Sequence, residues 1–168
     1  MLTRLASRGV ITQQLRSLGC HAVITPPGQQ RQDFSRLLRR AGLRPTKQRS
    51  ALAQLLFCGD RHITAEDLHS EAVATGFRIS LATVYNTLHQ FRQAGLLREL
   101  AVDGSRTYFD TNTSNHNHFY IADEHDIFDI PNNLIKVEGL PQPPEGFEIA
   151  HVDVVVRLVR KSPGRTGP

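Results

Sequence analysis

"ISLATVYNTLHQFRQAGLLRELAVDGSRTYFD", Ile79 to Asp110, changes its period halfway along, and that change decides the fold. Its first part predicts a helix capped by Ser80 and ended at Gly95. Val84, Leu88 and Phe91 form one apolar stripe at helical spacing. Ala82, Tyr85, Asn86, His89, Gln90, Arg92 and Gln93 occupy the remaining surface, which holds no carboxylate. From Leu96 the period falls to two. "LLRELAVDGSRTYFD" predicts two short strands around Asp103-Gly104, a hairpin signal.

Working outward towards the N-terminus, three more helices are expected. The first runs from Gln32, with Phe34, Leu37, Leu38 and Ala41 on one face and Gly42 closing it. The second has Thr46 as its cap, Leu52, Leu55 and Leu56 as its buried face, and Gly59 as its stop. The third is capped by Thr64, carries Glu66 and Asp67 in its first turn and ends at Gly76. Three helices, a polar-faced helix and a basic hairpin, in that order, describe a winged helix-turn-helix. A helix face that enters the major groove needs hydrogen-bonding side chains and no carboxylates, and the Leu81-to-Ala94 face meets that need.

Past Asp110 the chain reads as a different, small α/β module. "HFYIA" and "DIFDI" predict strands, and "PNNLIKVEGLPQPPEG" (Pro131 to Gly146) predicts a short helical turn plus loop. "FEIAHVDVVVRLVR" is the most strand-like run in the chain. So small a sheet cannot bury both faces alone, so pairing with a second copy is expected. The fold class is therefore α+β. The expected organisation is a flexible basic arm over residues 1–31, a winged-helix DNA-binding domain over 32–110, a dimerisation and ligand-sensing domain over 111–160, and a disordered tail over 161–168.

Charge supports that division. Of the 168 residues, 1–110 hold 15 Lys and Arg against 8 Asp and Glu, whereas 111–168 hold 5 against 8. A basic module that meets a polyanion is joined to an acidic one. No acidic residue precedes Asp33; a transit-peptide reading of this Arg-containing start stands beside that of a basic arm. No apolar run approaches the ~20 residues of a spanning helix. Cys20 and Cys58 are far apart and form no CxxC, which argues against a disulfide scaffold and suits a reducing compartment. The expected location is cytoplasmic.

Taken together, "GLRPTKQR" (Gly42 to Arg49), "HITAEDLH" (His62 to His69), "ISLATVYNTL" (Ile79 to Leu88) and "AGLLREL…DGSRTYFD" resemble the ferric uptake regulator family in order and spacing. The resemblance covers roughly Asp33 to Arg160. Within the family, "SLATVYNTL", "YFDTN" and "HNHFY…FDIP" look most like the iron response regulator branch, which is associated with haem-dependent control of iron genes. The resemblance implies a dimer or a higher oligomer on double-stranded promoter DNA, and a haem-delivery partner.

It also implies a regulatory site for Fe2+, Mn2+ or Zn2+, with ligands falling on His62, Asp110, His116, His118 and Asp129. Residues i and i+2 of a strand share a face, so His116 and His118 can chelate one ion while Asn117 faces away. A second family site falls on Asn115, Asn117, Lys136 and His151 and is expected to be degenerate, because Lys136 repels a cation. Where the family carries CxxC for structural zinc, Ile121 and Glu124 stand, so that zinc is expected to be absent. His116, His118, Cys20 and His21 are candidate haem ligands.

For DNA, Tyr85 is expected to meet a thymine methyl or the backbone, and Asn86 and Gln90 to offer amides to base edges. Arg92, Arg106, Thr83 and Lys47 are expected at phosphates. The resulting expectation is an iron- or haem-responsive transcriptional regulator and not an enzyme. Two rivals are a metal-dependent hydrolase built on the HxH and a haem or metal buffer without DNA binding. No dedicated base, nucleophile motif or Gly-rich phosphate loop supports the first; the charge split and the Leu81-to-Ala94 face speak against the second.

Overall fold

The computed structural model describes residues 34–160 except Asp103 and Ser105. The arm, the tail, Cys20 and His21 lie outside the described residues. The chain divides into two compact units, the second beginning at Asn115.

In the first unit the helices are α1 (Ser35–Arg40), α2 (Lys47–Leu56), α3 (Ala65–Ala74) and α4 (Leu81–Gln93). Three of them start as their caps require. Thr46, Thr64 and Ser80 each accept the backbone N–H three residues on, from Arg49, Asp67 and Thr83, at 3.1 to 3.2 Å. Helices α1, α3 and α4 end alike. Gly42, Gly76 and Gly95 take positive φ, and the next residue's N–H reaches back to the carbonyl five residues earlier, as in Leu96 N to Phe91 O at 2.9 Å.

Helix α2 departs from expectation. It ends at Leu56 rather than at Gly59. Phe57 turns inward, 6.1 Å from the Phe34 ring and 5.8 Å from that of Phe91. The Gly59 carbonyl accepts instead from the Thr111 hydroxyl. Leu38, Leu52, Leu56, Leu68, Val84, Leu88, Phe91 and Phe109 form the fully buried core.

A three-stranded antiparallel sheet completes this unit, in the order β1 (His62–Ile63), β3 (Thr107–Asp110), β2 (Arg98–Ala101). The β2–β3 hairpin was expected; β1 was not. Its register sets His62 opposite Asp110, while Arg98 pairs Asp110 from the other side.

The second unit is a sheet in the order β5 (Asp126–Ile130), β4 (Asn117–Ile121), β6 (Val155–Leu158), preceded in β6's case by a 3-10 turn at Asn132–Leu134 and a long connection. β4 pairs β5 antiparallel and β6 parallel. Of the strand-like run from Phe147, only Val155–Leu158 joins the sheet. The rest has no partner strand among the described residues. Phe147 and Ile149 stand exposed there, with Leu134, Val137 and Leu140 before them.

Candidate metal centre and nucleic-acid interface

Helices α3 and α4 form the helix-turn-helix. The turn between them is tied by the half-buried His69, whose Nε2 lies 3.0 Å from the Ile79 carbonyl. Helix α4 buries Val84, Thr87, Leu88 and Phe91, so Asn86, His89 and Arg92 are left exposed.

Two of the expected base readers are already held by protein. The Tyr85 hydroxyl donates to Glu66 Oε1 at 2.6 Å. That bond pulls the Glu66 carboxyl below its ordinary range and pushes the Tyr85 phenol above its own. The Gln90 side-chain oxygen accepts from Arg49 through Nε at 3.0 Å and Nη2 at 2.8 Å. Arg92 pairs with Glu99 at 3.1 Å. Thr83 shares a 2.8 Å contact with the Ser80 hydroxyl. Lys47, at the start of α2, and Arg106, just before β3, are exposed. Arg49 and Glu66 were not legible as parts of this face, because each reaches α4 across a long sequence separation.

The expected metal ligands form two donor sets, one in each unit. In the first, the β1–β3 register brings His62 Nε2 to 3.7 Å from Asp110 Oδ1. In the second, His118 lies directly opposite Asp129 across the β4–β5 hairpin. His116 Nε2 is 3.3 Å and His118 Nε2 4.0 Å from Asp129 Oδ1, and the two imidazole rings lie 4.5 Å apart. Period-two alternation does what the sequence implied: Asn117 points away and donates to Asn132. Asp110, His116, His118 and Asp129 are all buried. Buried imidazole nitrogens converging on a carboxylate oxygen are donors of the kind that a borderline divalent ion takes. Lys136 pairs with Glu138, and His151 with Asp153 at 2.8 Å.

The ferric uptake regulator family profile matches residues 40–157. The chain belongs to the ferric uptake regulator family. Among its relatives is the peroxide-responsive repressor PerR of Staphylococcus aureus, 36% identical over 116 residues, which span 68% of this chain and 78% of that one. The ferric uptake regulator of Pseudomonas aeruginosa, solved with manganese, matches with a TM-score of 0.58 and 27% identity over 76% of this chain and 98% of that one. That of Vibrio cholerae shares the fold, with a TM-score of 0.60 and 24% identity over 74% and 98%.

This ferric uptake regulator family member is thus a metal-responsive transcriptional regulator and not an enzyme, and its fold is the α+β one expected. Residues 121 and 124 are Ile and Glu, so β4 and its turn offer no thiolate pair. Among the described residues the sole cysteine is Cys58, exposed after α2. No helix among the described residues is long and apolar enough to cross a membrane.

Proposed function

We propose that this chain is a dimeric, iron-responsive regulator that reads promoter DNA with the 32–110 domain and senses its ligand with the 111–160 domain. The observation that carries the reading is the convergence of His116, His118 and Asp129 in one hairpin, with His62 and Asp110 registered on adjacent strands of the other unit. Neither set alone reaches the four ligands of a closed site. Five donors from both sets would hold one divalent ion, and what supports their joint use is that only residues 111–115 separate Asp110 from His116. When bound, the ion supplies a positive charge that both sets can share.

The chain's own residues do the rest. The sets lie on either side of a short connecting segment, so their shared use favours one arrangement of the two units over others, a population shift. Tyr85, Asn86 and Gln90 read base edges; Lys47, Thr83, Arg92 and Arg106 meet phosphates. The exposed apolar side chains from Leu134 to Ile149 suit a second copy. A regulator of chromosomal genes would act in the cytoplasm, and we assign the chain there on that ground.

We extend the reading to haem. Imidazole is a good axial ligand, and His116 and His118 are paired, but both are buried and packed edge to face. A macrocycle reaching them must open the hairpin and compete with the divalent ion. Cys20 and His21 are the other candidate ligands, and a haem-delivery partner is then implied.

The test is an electrophoretic shift assay with an AT-rich palindromic promoter fragment, with Mn2+, with chelator and with haemin. Binding that needs Mn2+ and is lost in His118→Ala supports the reading. Binding indifferent to both sinks metal sensing. A Soret band that survives His116→Ala with His118→Ala assigns haem to Cys20 or His21 instead.

A further inference from the structure

The residue on the far side of Asp110 has no place yet in this scheme. The three-stranded register sets His62, Asp110 and Arg98 side by side on β1, β3 and β2. Neighbours in register share a face of the sheet. Asp110 is fully buried, and the Arg98 side chain is mostly buried beside it. The two carboxylate oxygens face different ways. Oδ1 accepts the Asn112 N–H at 2.8 Å and lies towards His62. Oδ2 lies 3.7 Å from Arg98 Nη2. The same guanidinium donates through Nη1 to the Ser114 carbonyl at 3.1 Å. Between these ends, Asn112 Oδ1 accepts the N–H of Ser114 at 3.2 Å and its hydroxyl at 2.6 Å. Residues 110–114 are therefore folded as consecutive side-chain turns, with one arginine hydrogen-bonded at the Ser114 end and ion-paired at 3.7 Å at the Asp110 end.

A guanidinium is cationic at every physiological pH. Beside a carboxylate offered to a dication, it acts in two opposed ways. It orients the carboxylate, as residues behind metal ligands do. It also offsets the negative charge that draws the dication in, and like charges this close in a buried setting repel strongly.

We propose that Arg98 is the resident cation of the sensor site: it holds Asp110 in the metal-free chain, raises the metal concentration needed for occupancy, and ties residues 111–114 in place. This rests on the reading of Asp110 as a metal ligand. Arg98 is a positioning residue, and its charge and its two-armed reach are separable. A lysine keeps the charge but offers a single ammonium, which cannot fork between Asp110 and Ser114. A glutamine keeps polar atoms at the site without the charge.

The experiment uses the full chain and two readouts. Calorimetric titration with Mn2+ compares wild type, Arg98→Gln, Arg98→Lys and His118→Ala. Amide hydrogen exchange over residues 111–114 is measured without metal. The expected result is Mn2+ affinity raised by roughly tenfold in Arg98→Gln, about 1.4 kcal/mol of removed like-charge repulsion, and close to wild type in Arg98→Lys. Both Arg98 variants are expected to lose exchange protection at 112–114. If Arg98→Gln lowers Mn2+ affinity or leaves it unchanged while wild type binds, Arg98 merely orients Asp110 and the proposal is overturned alone. If the metal-free exchange is unaltered in both variants, the tie to Ser114 is overturned. If wild type fails to bind Mn2+, or His118→Ala binds as well as wild type, the metal reading itself falls and this proposal with it. Should Arg98→Gln fail to fold, Arg98→Met carries the same expectation.

Discussion

Arg49 holds Gln90 by its side-chain oxygen alone, through two nitrogens at 3.0 and 2.8 Å. The amide oxygen of Gln90 is thereby spent within the protein, and its NH2 is the group left to meet a base acceptor. An adenine N7 or N6 pair needs both amide atoms for bidentate contact, so Gln90 is expected to act as a single donor. Gln90→Ala should lower affinity for the specific site by less than the about 1–3 kcal/mol of a bidentate pair and leave random DNA nearly untouched. Arg49→Met should reproduce part of that loss of discrimination by freeing the amide to rotate. Shift assays against both DNAs check this, and equal losses on both would count against it.

The Tyr85–Glu66 bond predicts a pH signature. A depressed carboxyl contributes stability above the ordinary carboxylate range and loses it as pH falls through the lowered pKa. A raised phenol contributes below the ordinary tyrosine pKa of about 10 and loses it as pH climbs through the raised value. Between those limits the bond is intact and the profile is flat. Glu66→Gln should return one of the three tyrosines to ordinary phenolate titration, followed by ultraviolet absorbance. An unchanged titration curve would place the Tyr85 hydroxyl elsewhere.

Base reading and phosphate contact should separate by salt. Tyr85→Ala is expected to cost about 1–3 kcal/mol on the specific site only. Arg106→Ala should weaken all sequences alike and lower the salt slope by about one. Arg92→Ala should change binding by less than a bare phosphate contact would, because Glu99 holds the guanidinium at 3.1 Å. Binding isotherms at several salt concentrations decide the order.

Phe91 is fully buried on the inner face of α4, its ring tilted 44° against that of Phe57 at 5.8 Å. Phe91→Ala should destabilise the first unit by about 3–5 kcal/mol, read by denaturant unfolding. Since recognition depends on α4, DNA binding should fail in parallel with folding rather than ahead of it.

With no thiolate pair at residues 121 and 124, the chain is expected to keep its fold after exhaustive chelation. Elemental analysis and circular dichroism before and after dialysis against chelator test this. Zinc that survives, or a fold that collapses on its removal, would contradict it.

Caps and stops of the helices were legible because they are local. Thr46, Thr64 and Ser80 bond three residues away, and Gly42, Gly76 and Gly95 answer to their own φ. The His116–His118 pairing was legible for the same reason, through strand alternation. What escaped notice is non-local. β1 is two residues long, too short for any period, and exists only because Asp110 and Phe109 pair with it. Arg98 looked like one more strand residue until the sheet set it against Asp110. Gly59 looked like a stop, but the inward turn of Phe57 ended α2 first. The run from Phe147 read as the most strand-like in the chain for its five valines between Val152 and Val159, yet a strand needs a neighbour, and β4 accommodates only Val155–Leu158.

The parallel pairing of β6 with β4 also dictates a timetable. The β4–β5 hairpin closes through a few residues, an event of roughly 1–10 μs. β6 can dock only after the connection over residues 131–154 has looped back, a slower and entropically dearer closure. During that interval β4 carries an open edge beside buried-type side chains, the arrangement most prone to pairing with the wrong chain. A truncation before Val155 makes the interval permanent, so its expected signature is aggregation during synthesis, with the helical unit still able to fold.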